Sequence, residues 1–359
     1  MKNIGLIFDK KTNAVFLLPN EIEKMCLTGL RVNVQTGYGS CLNISDQQYE
    51  KVGAKIFDTK IKVISQSDII CKINPFTKND CHFLTNKIAV TLSNFVNNIG
   101  MLYYMLKNNV TGLYWNALLT NQKYVLFSKL EQLKAQNAFL IINKILTDWT
   151  KNKKKINPPR SNDYFLLLNA SFASIEICKL ALEKGFNVIV LDNDINYSKQ
   201  LEFNNLIKHL SNNTSRFIYD TATFENLEKY FPMSSIFLNT CSNPINKTKS
   251  RITSNMVKSM KQTAIALDIA NDYGDGFVFV KKKPSKQIKL YKCGENFYLN
   301  LNNWYFINSA NQSEIISTTS YLPLIEMAKN GINQQFSNLI ICESKKIVNK
   351  IIKTTFNLY

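Results

Sequence analysis

The chain has 359 residues and a mass of 41.2 kDa, more than one small domain accommodates and the size expected of two. With 45% hydrophobic and 11% aromatic residues it is not disordered, and with only 12 Gly and 8 Cys it is neither collagen-like nor a disulfide scaffold. Its net charge of +18 comes almost wholly from Lys, with Arg only at 31, 160, 216 and 251, and the Lys/Asn/Ile-rich mix is what an AT-rich coding sequence generates, so no nucleic-acid partner is expected.

Short apolar strands and helical stretches alternate along the first half. Asn3–Phe8 and Arg31–Gln35 read as strands around a helix at Asn20–Thr28, followed by a turn at Gly37-Tyr38-Gly39-Ser40. Gln47–Val52 reads as a short helix and Asp68–Ile73 as a buried strand stopped by Asn74-Pro75. Lys87–Leu92, Asn97–Lys107 and Thr111–Trp115 continue the β-α-β rhythm, which implies a doubly wound parallel sheet. From Val125 to Trp149 one long helical pattern carries Leu126, Leu130, Leu133, Ala138, Ile141, Ile142 and Ile145. The charge run Lys151–Lys155 and the stop Pro158-Pro159 mark a boundary after it.

Beyond that boundary, Tyr164–Leu168 is an apolar strand, Asn169–Ser174 a turn of small residues around Phe172, and Ile175–Gly185 a helix. Asn187–Leu191 is a second strand, closed by Asp192-Asn193-Asp194. An acid about 20 residues after such a turn is the layout of a dinucleotide-binding half. Strands follow at Arg216–Tyr219, Ser235–Asn239 and Ala264–Asp268, and a helix at Glu314–Lys329 returns to the first domain.

The cysteines, at 26, 41, 71, 81, 178, 241, 293 and 342, contain no C-x-x-C, and with only His82 and His209 they assemble no zinc site. They read as small core residues of a reducing cytoplasm. Cys81 and His82 are neighbours, but on a strand they would point to opposite faces and not form a nucleophile pair. No apolar run reaches the roughly 18 residues that cross a bilayer, and Met1–Asp9 lacks a signal-peptide layout, so a soluble cytoplasmic chain is expected.

Collinear motifs across nearly the whole chain resemble the alanine dehydrogenase / NAD(P) transhydrogenase alpha-subunit family. Asn3-Ile4-Gly5-Leu6 and Val15-Phe16-Leu17-Leu18-Pro19 are similar to its opening strand and R-V-A-x-T-P. Thr36–Ser40, Asp46, Tyr49 and Val52–Ile56 are similar to its G-A-G and Y-x-x-A-G-A-x-I segments. Ser67–Pro75 resembles the transhydrogenase I-L-K-V-N-x-P more than the dehydrogenase K-V-K-E-P. Asn109-Val110-Thr111, Ile156–Pro159, Ile252–Lys261 and Leu339–Val348 lean the same way. The resemblance implies an α/β fold of two Rossmann-like doubly wound parallel-sheet domains joined by long helices. An N-terminal domain would comprise 1–135 plus about 313–359, and an NAD(P)-binding domain 136–312. It also implies NAD(H) as cofactor, a homodimer, and a membrane-bound beta-type subunit as partner, which would place the chain at the periphery of the inner membrane.

The departures from the family pattern fall on chemistry. Its phosphate loop G-A-G-x-A-G aligns with Asn169, Ala170, Ser171, Phe172, Ala173 and Ser174. Asn169 tolerates the left-handed turn, whereas Ser171 sets a Cβ where pyrophosphate approaches and Ser174 is expected to crowd helix against strand. The carboxylate-binding Arg of the family falls on Ala14 and its Lys on Ile73, with Lys72 one place away on the other face; no His stands in Leu92–Asn97. Lys72 and Asp268, the acid of Leu267-Asp268-Ile269-Ala270, are thus vestigial catalytic candidates. The six turn residues, Asp192 for the ribose hydroxyls and Asp268 are the candidate cofactor-binding residues. The family's nicotinamide-orienting Arg-Gln-Asp is not recognisable in Asn116–Tyr124, where Gln122 and Lys123 are stand-ins. Alanine dehydrogenase activity is therefore not expected. Three readings stay open: a weak NAD(H) binder with transhydrogenase-type hydride transfer, a non-catalytic binding or structural protein, and an enzyme repurposed for another small substrate.

Overall fold

The computed structural model describes the chain except residues 9–12, 94, 96–97, 120–122, 152–158, 161, 194–196, 210–215, 241–251, 271–276, 278, 280–288, 301–307 and 356–359. Of the boundary expected at Lys151–Lys155 and Pro158-Pro159, residues 152–155 and 158 lie outside the described residues, as do Gln122, Asp194, Cys241 and Arg251. The chain divides into two compact units, Met1–Leu130 with Asn308–Tyr359, and Glu131–Ile307.

The first unit begins β1 (Ile4–Leu6), α1 (Pro19–Leu27), β2 (Val32–Gln35), α2 (Asp46–Lys51), β3 (Lys55–Phe57) and α3 (Lys60–Ser65). It continues β4 (Ile69–Lys72), α4 (Lys78–Phe83), β5 (Ile88–Thr91), α5 (Ile99–Lys107) and β6 (Thr111–Tyr114). The strands β4 and β5 are buried at every position, as internal parallel strands covered on both faces must be. The helices α3 and α4 have six residues each, too few for periodicity to announce them; Thr59 and Thr77 start them by accepting the backbone N–H of Lys62 and Asp80. Cys81 and His82 therefore sit on a helix, not a strand, with Cys81 buried and His82 exposed.

Helix α6 (Val125–Lys151) runs across the boundary between the units. The second unit then contains β7 (Tyr164–Leu168), α7 (Phe172–Glu183), β8 (Asn187–Asp192), α8 (Tyr197–His209), β9 (Phe217–Thr221) and α9 (Phe224–Tyr230). It closes with β10 (Ser234–Asn239), α10 (Ser254–Ser259), β11 (Ile265–Asp268) and the hairpin β12 (Tyr291–Cys293) and β13 (Asn296–Asn300). Among the described residues its sheet has the order β12-β13-β11-β10-β7-β8-β9, parallel except for β12 against β13. Alternation within the strands supplies a core on each face. Phe165, Leu167, Val188 and Val190 pack with Ile142 of α6 and Ile177 of α7, whereas Leu166, Leu168, Ile189 and Leu191 pack with Leu227 and Val257.

The chain returns to the first unit through α11 (Ser309–Asn330), β14 (Ile340–Glu343), β15 (Lys346–Ile347) and α12 (Lys350–Thr355). That sheet has the order β15-β14-β6-β5-β4-β1-β2-β3; β14 joins β6 antiparallel, and the pairs from β6 to β3 are parallel. Each sheet is wound outward from a central strand, β1 or β7, and then back on its other side. The loops after those strands lie at the topological switch points, where open α/β sheets leave a crevice.

Of the described cysteines, 71, 81, 178, 293 and 342 are buried, as expected of core residues, while Cys26 is half-buried and Cys41 exposed. Burial pushes the thiols of Cys178 and Cys342 up to about 12, which keeps them protonated and inert.

Candidate nucleotide-binding site

The switch-point loop of the second unit is the segment Asn169–Ser174, between β7 and α7. Asn169 has φ 72°, the left-handed conformation that the turn requires and that Asn tolerates. Ser171 is the N-cap of α7: its Oγ accepts the N–H of Ser174 (3.2 Å), and Ser174 Oγ accepts the N–H of Ser171 (3.2 Å), a closed capping box. This cap explains why α7 begins at Phe172, three residues earlier than its apolar periodicity predicts.

Ser174 is fully buried and hydrogen-bonded. Its hydroxyl donates to the Asn169 carbonyl and lies 2.6 Å from Oγ1 of Thr240, just past the end of β10. Thr240 Oγ1 in turn lies 2.7 Å from the Leu168 carbonyl and 2.9 Å from that of Asn169. These hydroxyls form a polar seam between the ends of β7 and β10, the two strands flanking the switch point.

Asp192, at the end of β8, faces the same turn and is 7% exposed. Its Oδ1 accepts the N–H of Ala170 (3.2 Å) and of Asn193 (3.1 Å); its Oδ2 accepts the hydroxyl of Tyr219 on β9 (3.1 Å). Asn193 Nδ2 also donates to Asn169 Oδ1 at 2.8 Å. Turn and acid are therefore brought together, as their sequence spacing predicts, but joined to each other. The roles of Tyr219 and Thr240 were not read from the sequence. They lie 27 and 66 residues from their partners, on strands whose pairing only the sheet order fixes.

Asp268, at the end of β11, is fully buried, with Oδ1 accepting Asn239 Nδ2 and the Ala270 N–H, both at 3.1 Å. Phe172 is half-buried at the turn, while Ala170 and Ala173 pack into the core.

In the first unit, Lys72 ends β4 and is 1% exposed. Its ammonium donates to Asp80 Oδ2 (2.8 Å) and the Pro75 carbonyl (3.0 Å). Asp80 also holds Lys60 at 2.6 Å through Oδ1 and accepts the Thr77 N–H at 2.9 Å. Burial alone would raise the Asp80 carboxyl, but Lys72, Lys60 and the Thr77 N–H outweigh it and lower it to about 2. Ala14 is buried, and the segment around it is held by side-chain acceptors: Val15 N–H on Ser313 Oγ, Leu18 N–H on Ser317 Oγ, and Phe16 and Leu17 N–H on the Tyr38 hydroxyl. Lys123 is exposed. Among the described residues no cluster of His, Cys, Asp or Glu forms a metal site, and no helix is long and apolar enough to cross a membrane.

Two doubly wound units, one with a β-turn-α loop facing an acid at the next strand's end, define a Rossmann-type α/β protein. The family model "Alanine dehydrogenase/PNT, N-terminal domain" matches residues 9–133, and "Alanine dehydrogenase/PNT, C-terminal domain" matches 166–351. The chain belongs to the alanine dehydrogenase/PNT family of oxidoreductases. Alanine dehydrogenase 1 of Staphylococcus aureus is 23% identical over 268 residues, 71% of this chain and 68% of the relative. Alanine dehydrogenase of Methanococcus maripaludis is 21% identical over 269 residues, 73% and 69%. Among solved structures, an L-alanine dehydrogenase superposes with TM-score 0.80 at 13% identity, covering 99% of both chains. A transhydrogenase from Sinorhizobium meliloti gives 0.73 at 16%, covering 97% of this chain and 99% of that one. At these identities the likeness is one of fold.

Proposed function

We propose that this protein keeps the NAD(H)-binding frame of its family but holds the nucleotide weakly, and that it lacks alanine dehydrogenase activity. One observation carries the reading. The turn N–H groups of Ala170, Ser171 and Ser174, on the loop that cradles pyrophosphate in nucleotide-binding folds, donate instead to Asp192, Ser174 and Ser171 of the same chain. A nucleotide must displace these bonds and face the Ser171 Cβ, so part of its binding energy is offset.

The residues present nonetheless fit such a group in outline. The 12-residue helix α7 directs its N-terminus at the turn, Asn169 supplies the left-handed bend, and Asp192 stands where ribose hydroxyls are recognised. A bound nicotinamide nucleotide supplies the hydride chemistry; the contribution of the chain is to position it. Hydride exchange between two nicotinamides asks little more of a protein than that positioning, which favours a transhydrogenase alpha-subunit-like role, at low efficiency, over amino-acid chemistry. Reductive amination needs a cation for the keto-acid carboxylate and a proton-transfer group. The first is replaced by Ala14, and Lys72 is committed to Asp80. A homodimer and a membrane-bound beta-type partner complete this reading.

Isothermal titration with NADH tests it. The wild type should bind weakly, and Ser171→Gly combined with Ser174→Gly should bind about tenfold more tightly by removing the Cβ and freeing turn donors. Affinity equal in the two proteins refutes the turn as the limiting element.

A further inference from the structure

We infer that the face of the first unit built from α3, α4, α5 and α12 docks on an anionic lipid surface. The sheet of this unit runs from β1 to β3 in one direction and from β4 to β6 in the other, so right-handed crossovers lay its helices on opposite faces. Val63 and Ile64 of α3, Cys81 of α4, Met101 of α5 and Ile352 of α12 share one core, to which no described residue of α1, α2 or α11 contributes. Charge is segregated between the two faces. Helices α3, α4, α5 and α12 carry six lysines and a single acid, Asp80, which is buried against Lys72 and Lys60. Helices α1, α2 and α11 carry three lysines and six acids. An AT-rich coding sequence enriches lysine along the whole chain without preferring one side of a sheet, so composition does not explain the asymmetry.

The basic face also bears apolar tips. From Ile99 to Leu106, α5 has no charged side chain, and Ile99 and Tyr103, one turn apart, are 54% and 58% exposed. Phe83, ending α4, is exposed as well. Tyr103 meets Tyr104 edge-on at 5.2 Å, and Lys78 Nζ stands 5.7 Å from the Tyr104 ring centroid, so cation and rings adjoin. Lys78, Lys107, Lys350 and Lys353 are all exposed. Aromatic and aliphatic tips among lysines, with no exposed acid on these helices, match the headgroup region of an anionic bilayer. The rings enter the boundary between headgroups and acyl chains, while the ammonium groups, on flexible stems, meet lipid phosphates. An acidic polypeptide would answer the lysines alone and leave Ile99 and Tyr103 in water.

The test uses the full chain and co-sedimentation with phosphatidylcholine vesicles that contain or lack phosphatidylglycerol. The wild type should sediment with the anionic vesicles only, and less as salt rises. Lys78→Glu/Lys107→Glu and Ile99→Ser/Tyr103→Ser should each bind the anionic vesicles about tenfold more weakly. Lys51→Glu/Lys329→Glu makes the same change of net charge on the opposite face and should stay within about twofold of wild type. Circular dichroism establishes that each variant is folded; should one unfold, Lys78→Gln/Lys107→Gln or Tyr103→Ser alone repeats the comparison. Absence of wild-type binding, or equal binding to both kinds of vesicle, overturns the inference. So does an equal loss in the two lysine variants, because net charge and not this face would then drive adsorption. Binding unaffected by Ile99→Ser/Tyr103→Ser overturns it too, leaving a purely ionic surface suited to an acidic polypeptide. None of these outcomes bears on the nucleotide turn of the second unit.

Discussion

Replacing Lys72 by Met tests whether this lysine is a structural ion or an available ligand for substrate. Asp80 is held by Lys72 at 2.8 Å, Lys60 at 2.6 Å and the Thr77 N–H at 2.9 Å, and its carboxyl sits at about 2 against an ordinary 3.8. At 1.36 kcal/mol per pKa unit, this corresponds to about 2 kcal/mol of stability at neutral pH. Because the folded value is the lower one, that contribution is fully present above about pH 4 and is lost as pH falls through about 2. Breaking a buried ion pair costs about 3–5 kcal/mol, and Lys60 remains as partner, so Lys72→Met should lose about 3 kcal/mol at pH 7. For a unit of this size the melting temperature should fall by roughly 6–12 °C. Thermal and urea unfolding followed by circular dichroism between pH 7 and pH 2 measure both quantities. The gap between variant and wild type should narrow toward pH 2, as Asp80 is protonated. A gap below about 0.5 kcal/mol at pH 7, or one constant across the range, would refute the argument and return Lys72 to the list of groups free to bind substrate.

Two further outcomes are expected. With pyruvate, ammonia and NADH all saturating, NADH oxidation should stay at background, because loss of a positioned acid/base alone costs ~10²–10⁴ in rate; a pyruvate-dependent rate abolished by Lys72→Ala would contradict this. At the turn, where Asn169 has φ 72°, Asn169→Ala should destabilise the protein by about 1–2 kcal/mol, whereas Asn169→Gly should be near neutral, as read by urea unfolding.

Much of the architecture was legible in the sequence because its signals are local. Largely apolar runs such as Tyr164–Leu168 and Asn187–Leu191 are the mark of parallel strands buried on both faces, and the observed elements match those runs within a residue. Asn169 was legible as the left-handed residue for the same reason: the constraint lies in its own backbone. Less legible were α3, α4 and the β12–β13 hairpin, which are too short for a period to repeat.

What the sequence by itself determined is the order of strands and helices, the turn at 169–174, and the acid that follows it. Only the tertiary structure decided what those groups do. Asp192 meets Tyr219 because β8 pairs with β9; Ser174 meets Thr240 because β10 returns to the far side of β7; and Lys72 meets Asp80 because α4 folds back beneath the end of β4. Hydrogen bonds and ion pairs act over about 3 Å, so a polar residue acquires its role from whichever strand the sheet order sets beside it. Periodicity along the chain carries no record of that neighbour.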